Sequence, residues 1–217
     1  MRLPTIAVSL LSGCFISAAV ANGQATFNDP DEAWNSVFWK VYPSGGTSLY
    51  CGERFENAGD KLVASPAYNV KQIKSALRCL TETQCTVKTP RYPFIRSDLH
   101  NLFPASADIE DKRRNAVFGE HQAGGRKPND LGCGTRATYH VIETRDGAKG
   151  DIARAMFYMH VEYMLPLQPD ELETLKKWHQ MDPPDAEEKA RNDRIAALQG
   201  SRNRFIDNPD LAKDLGK

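Results

Sequence analysis

Four cysteines, Cys51, Cys79, Cys85 and Cys133, constrain this chain more than any other feature. A fifth, Cys14, lies in an N-terminal segment that reads as an export signal. Arg2 supplies a small positive start, Ile6 to Val20 is almost wholly apolar, and Ala19-Val20-Ala21 ends it in a small-residue cleavage pattern. An apolar run this short does not suit a membrane span. We expect residues 1–21 to be a signal peptide and 22–217 one mature domain that is secreted or periplasmic. The rival, a lipoprotein joined through Cys14, fits less well, because the apolar run continues through Phe15 and Ile16.

Export makes an even set of cysteines a disulfide framework. Proximity favours Cys79 with Cys85, leaving Cys51 to close a long loop with Cys133. A zinc site is the competing use, but no Cys-x-x-Cys pair or adjacent histidine supports it. With the leader set aside, 27 basic residues face 28 acidic ones. That balance excludes the strongly basic footprint of a general nucleic-acid coat, so any polyanion contact has to come from a local cluster. Hydrophobic residues at 41% and charged residues at 26% support a packed core and exclude wholesale disorder.

Periodicity places the elements. Trp34, Val37, Phe38 and Val41 recur at helical spacing after cap candidates in Asn28 to Asp31, and Thr47 to Cys51 reads as a strand. Helices are expected near Val70 to Leu80 and after Pro104, where Ser106 and Asp108 offer caps ahead of Ile109 to Asn115. The glycine-rich stretch 119–132 reads as a loop and Thr138 to Glu143 as a strand. Three helices follow. The first is Asp151 to Met164, with Ile152, Ala155, Met156, Met159 and Tyr163 on one face. The second starts at Asp170, carries Leu172, Leu175 and Trp178, and is stopped by Pro183-Pro184. The third runs from Glu187 to Gln199 and ends at Gly200. Residues 201–217 are polar and are expected on the surface. The class is α+β, mostly helical with a small β portion.

Several segments, in order, are similar to the bacterial endonuclease I family. They are Leu49-Tyr50-Cys51-Gly52, Ser97 to Pro104, Lys112-Arg113-Arg114-Asn115 with Phe118-Gly119-Glu120, Lys149 to Met159, Trp178 with Asp182-Pro183, Glu188 with Arg191-Asn192, and Gln199 to Asn203 running into Phe205-Ile206-Asp207. The resemblance implies a secreted non-specific nuclease of DNA and RNA with a ββα-metal site. In such a site a hairpin and a helix hold one divalent cation, usually Mg²⁺, beside a histidine general base. It also implies a Glu-His pair on the first strand and an asparagine on the helix.

The chain departs from that pattern where the chemistry lies. The family's spacing places Ser65 and Pro66 where Glu and His are expected, and no histidine occurs between residues 22 and 99. Glu110 stands at the helix asparagine position, where a carboxylate can still hold a hard cation. The reading is a family member that keeps the fold but has lost hydrolysis, and binds nucleic acid or a protein partner. The alternative is an active Mg²⁺ nuclease with a rearranged site. For that alternative His100 and His121 are the candidate bases, and Glu110 and Asn115 the candidate ligands. A third reading is an inhibitory module that copies a nuclease surface. Arg154 and Arg202 are candidate phosphate contacts, as against structural ion pairs, and Trp34, Trp39 and Trp178 are expected core anchors.

Overall fold

The computed structural model describes residues 23–217 apart from 58 and 60. The expected signal peptide and Cys14 lie outside the described residues. Helix α1 opens at Pro30–Glu32, where the Asp29 carboxylate accepts from the amides of Asp31 and Glu32. It continues through a π turn, Ala33–Val37, and a 3-10 turn, Phe38–Val41. Two short strands, β1 (Gly46–Thr47) and β2 (Arg54–Phe55), pair behind it. Strand β3 (Leu62–Pro66) follows, then α2 (Val70–Ala76), α3 (Glu82–Lys88) and α4 (Tyr92–Arg96).

Strand β4 (Leu102–Ser106) pairs antiparallel with β3, Leu62 opposite Ser106 and Pro66 opposite Leu102. The chain passes from Ser106 straight into α5 (Ala107–Arg113). A four-stranded sheet comes next, in the order β5 (Val117–Phe118), β8 (Val141–Glu143), β7 (Thr135–Ala137), β6 (Asn129–Gly132). Its β5–β8 pair is parallel and the rest antiparallel. The last third is α6 (Lys149–Tyr163), α7 (Pro169–Met181), α8 (Ala186–Gln199) and the single turn α9 (Arg204–Asp207).

Strand alternation makes the β3–β4 pair a partition between two apolar clusters. Ala64, Leu99 and Leu102 pack with Val37, Phe38 and Val41 of α1 and Ile195 of α8. Phe103 and Ala105 face the other way, into the larger core built around α6. Helix α6 is buried on every side, not on one face as its periodicity suggests. Ala153, Arg154, Phe157 and Tyr158 are as enclosed as the expected stripe. Its first turn touches the end of α7 so closely that a Cβ on Gly150 would stand 1.9 Å from the Asp182 carbonyl oxygen. The Gly150 amide instead donates to the Asp182 carboxylate at 2.9 Å.

The two disulfides are those expected, Cys51–Cys133 and Cys79–Cys85. Other expectations need correction. Residues 48–51 turn away after β1, because the Leu49 amide is taken by the Pro104 carbonyl. The 119–132 stretch ends in β6, and residues 138–140 form a turn ahead of β8. Helices α3 and α4, separated by one short turn, were hidden by weak periodicity. Residues 201–217 do more than cover the surface, since Asn203, Phe205 and Ile206 are buried. Trp178 is fully buried, whereas Trp34 and Trp39 are only half-buried against the smaller cluster.

Candidate functional site

Strands β3 and β4 with α5 form a ββα unit, and the chemistry at its centre is a closed polar network. The Ser65 hydroxyl donates to Glu110 Oε2 at 2.7 Å, and the Tyr50 hydroxyl donates to the same oxygen. One turn along α5, Arg113 is fully buried. Its guanidinium donates to Ser65 Oγ (3.1 Å), to the carbonyls of Pro66 (2.9 Å), Ala67 (3.3 Å) and Ala116 (3.1 Å), and to Glu110 Oε1 at 3.5 Å. The same group lies 4.2 Å over the Phe118 ring. Burial raises the Tyr50 phenol, the largest influence on it, so that it stays a neutral donor. Along the whole of β3 no side chain titrates: the residues are Leu62, Val63, Ala64, Ser65 and Pro66.

A divalent cation does not fit this centre. Mg²⁺ takes several hard oxygen donors, usually with more than one anionic contact and retained water. Here one carboxylate is present, and both its oxygens are already engaged by Tyr50, Ser65 and Arg113. A permanent positive charge beside it opposes a second one.

The other predicted residues are scattered. His100 is fully buried, packs at a tilt against Tyr158 with 4.6 Å between ring centroids, and bonds the Ser201 carbonyl through Nε2 at 2.9 Å. Burial pushes its imidazole down to about 4, the adjacent Asp98 only partly opposing this. It is therefore neutral at pH 7 and enclosed by protein. Its neighbour Asn101 clamps Tyr68, accepting from the Tyr68 amide at 2.7 Å and donating to the Tyr68 carbonyl at 3.0 Å. Asp98 gathers the hydroxyls of Tyr158 and Tyr163 with the Gln199 amide.

His121 is half-exposed and hangs on the Arg136 carbonyl at 3.1 Å. Its partner in sequence, Glu120, turns to Lys177 and to the Trp178 indole, and the Lys177 ammonium holds that carboxyl below its ordinary range. The two do not form a pair. Asn115 is exposed after α5, and its backbone oxygen accepts from the Asn69 side-chain amide at 3.2 Å.

Arg154 is buried, not presented to phosphate. It pairs with Glu188 at 2.6 Å and Asp151 at 3.1 Å, and donates to the Asp182 carbonyl. Burial and the nearby Glu188 push the Asp151 carboxyl well above the usual range. Arg202 is clamped bidentate on Asp207 (2.7 and 2.9 Å) and paired with Asp193 at 2.8 Å. Arg191 is buried as well, donating to the carbonyls of Leu99 and Leu102. Tyr50 and Arg113, which centre the network, were visible only as members of matched segments. Nothing local in either segment signals that they meet.

The fold and its ββα unit define the class, an α+β nuclease frame. A family model described as Endonuclease I matches residues 50–210, and the chain belongs to that family. It is 29% identical to an extracellular deoxyribonuclease of Aeromonas hydrophila, over 92% of this chain and 96% of that one. A periplasmic deoxyribonuclease of the same species is 28% identical over 77% and 81%. An extracellular ribonuclease of Bacillus amyloliquefaciens is 34% identical over 55% of this chain and 46% of its own length.

Proposed function

We propose that this is an exported endonuclease I family protein that no longer hydrolyses phosphodiesters and acts by binding nucleic acid. The carrying observation is the Ser65–Glu110–Arg113–Tyr50 network. It spends the one carboxylate of the ββα centre on internal partners, and β3 beside it offers neither a base nor an acid. A hydrolytic centre needs a proton acceptor within hydrogen-bond reach of the attacking water. The names of the relatives, extracellular and periplasmic deoxyribonucleases and an extracellular ribonuclease, support nucleic acid as the ligand class and the cell exterior or periplasm as the location.

The test is incubation of the oxidised mature protein with supercoiled plasmid and with RNA, in Mg²⁺, Mn²⁺ or EDTA. The expected result is intact nucleic acid in all three. Metal-dependent cutting that disappears in His121→Ala would overturn the reading and establish a relocated base. Cutting that survives in that variant and in Glu110→Gln marks a contaminating nuclease, and purification free of it must then leave the substrate intact.

A further inference from the structure

The chain is neutral overall, and some of its exposed cations are ion-paired, among them Lys112 with Asp108, Lys177 with Glu120, Arg202 with Asp207 and Lys213 with Asp210, while others such as Lys40, Lys61, Lys88 and Lys189 stand scattered without an ion pair among the described residues. On one face three unpaired cations gather in one place. Arg114, Arg126 and Lys127 are exposed, make no ion pair among the described residues, and line a single cleft of about 540 Å³. A second cleft of about 340 Å³ adjoins it, adding Lys71 and His140. Arg114 and Tyr139 line both. Asp111 is the one carboxylate on either wall.

Local structure holds this face in shape. Arg114 ends α5 at φ +55°, a backbone conformation uncommon outside glycine. The 138–140 turn is tied by the Thr138 hydroxyl, which accepts from the amides of His140 (3.3 Å) and Val141 (3.1 Å). That turn presents Tyr139, 69% exposed, between the two clefts, with the His140 ring perpendicular to it. The loop carrying Arg126 and Lys127 is anchored to β7 by the His121–Arg136 contact.

We infer that this double cleft binds single-stranded nucleic acid, its phosphates along Arg114, Arg126 and Lys127 and an unpaired base against Tyr139. The inference rests on the binding reading above and locates it. Unpaired cations on a neutral protein supply backbone attraction. An exposed aromatic ring among them adds sequence-tolerant stacking, which needs a base face that a duplex keeps covered.

The experiment is fluorescence anisotropy of a labelled oligothymidylate about 20 nucleotides long, in EDTA and across a salt series. Wild type should bind, and Arg126→Ala/Lys127→Ala should flatten the dependence of log affinity on log salt by about 1.4. Tyr139→Ala should weaken oligonucleotide binding about 5- to 150-fold and leave heparin binding unchanged. Both variants alter exposed side chains, and an unchanged melting temperature confirms that each folds. Three results overturn the inference. One is oligonucleotide binding insensitive to both variants. Another is equal affinity for a blunt duplex with no effect of Tyr139→Ala. The last is binding of heparin but not of oligonucleotide. Plasmid cutting alongside intact oligonucleotide binding would sink the non-hydrolytic reading and spare the cleft. Intact plasmid without oligonucleotide binding would spare the loss of hydrolysis and sink both the cleft and nucleic acid as the ligand.

Discussion

Ser65 on β3 and Arg113 on α5 meet at 3.1 Å, hydroxyl to guanidinium, in the heart of the ββα unit. The contact joins strand to helix through a charge that never leaves the protein. Three carbonyls and one carboxylate surround that charge, so the guanidinium ties strand, helix and the turn after it together.

Arg113→Met should destabilise the protein by about 3–5 kcal/mol, because it strands the Glu110 carboxylate and three carbonyls of the buried network. Glu110→Gln should cost less, since Glu110 is part-exposed and an amide still accepts from Tyr50 and Ser65. Urea denaturation ranks the two. A larger loss in Glu110→Gln would mean that the guanidinium depends on the carboxylate more than on the carbonyls.

The buried His100 predicts an acid-sensitive fold. Its folded pKa, about 4, lies below the ordinary value of 6.5, so between these limits the unfolded chain binds a proton that the native chain refuses. Its contribution is complete above 6.5 and declines as pH falls toward 4, by about 3 kcal/mol in all. The difference in stability between wild type and His100→Asn, followed from neutral pH to 4, should narrow by that order. A constant difference would refute the assignment.

The two disulfides should differ in worth. Cys51–Cys133 closes a separation of 82 residues and Cys79–Cys85 one of 6. Chain-entropy reasoning gives about 4–5 kcal/mol for the first and about 2 for the second. Cys51→Ser/Cys133→Ser should therefore melt well below Cys79→Ser/Cys85→Ser. The reverse order would show that residual structure in the unfolded chain sets the balance.

Arg154→Met should unfold the protein more readily, by about 3–5 kcal/mol, because Glu188 is left buried without its cation. Arg154→Met/Glu188→Leu should recover part of that loss. Neither should change oligonucleotide affinity once the folded fraction is matched. A selective loss of binding by folded Arg154→Met would return Arg154 to the ligand surface.

Much was legible in the linear chain. The 3.6-residue pattern of Leu172, Leu175 and Trp178, the Gly200 stop and the nearness of Cys79 to Cys85 are local signals, and each is realised. What only tertiary structure decided is which polar side chains face each other and which face water. His100 and Arg154 stand in segments that carry the family resemblance, and nothing in the sequence shows that both are buried. Arg126 and Tyr139 look like ordinary loop residues until β7, β8 and α5 bring them to one cleft. The reason is physical. Periodicity and capping act within a few residues, whereas desolvation and charge pairing depend on neighbours supplied from distant parts of the chain.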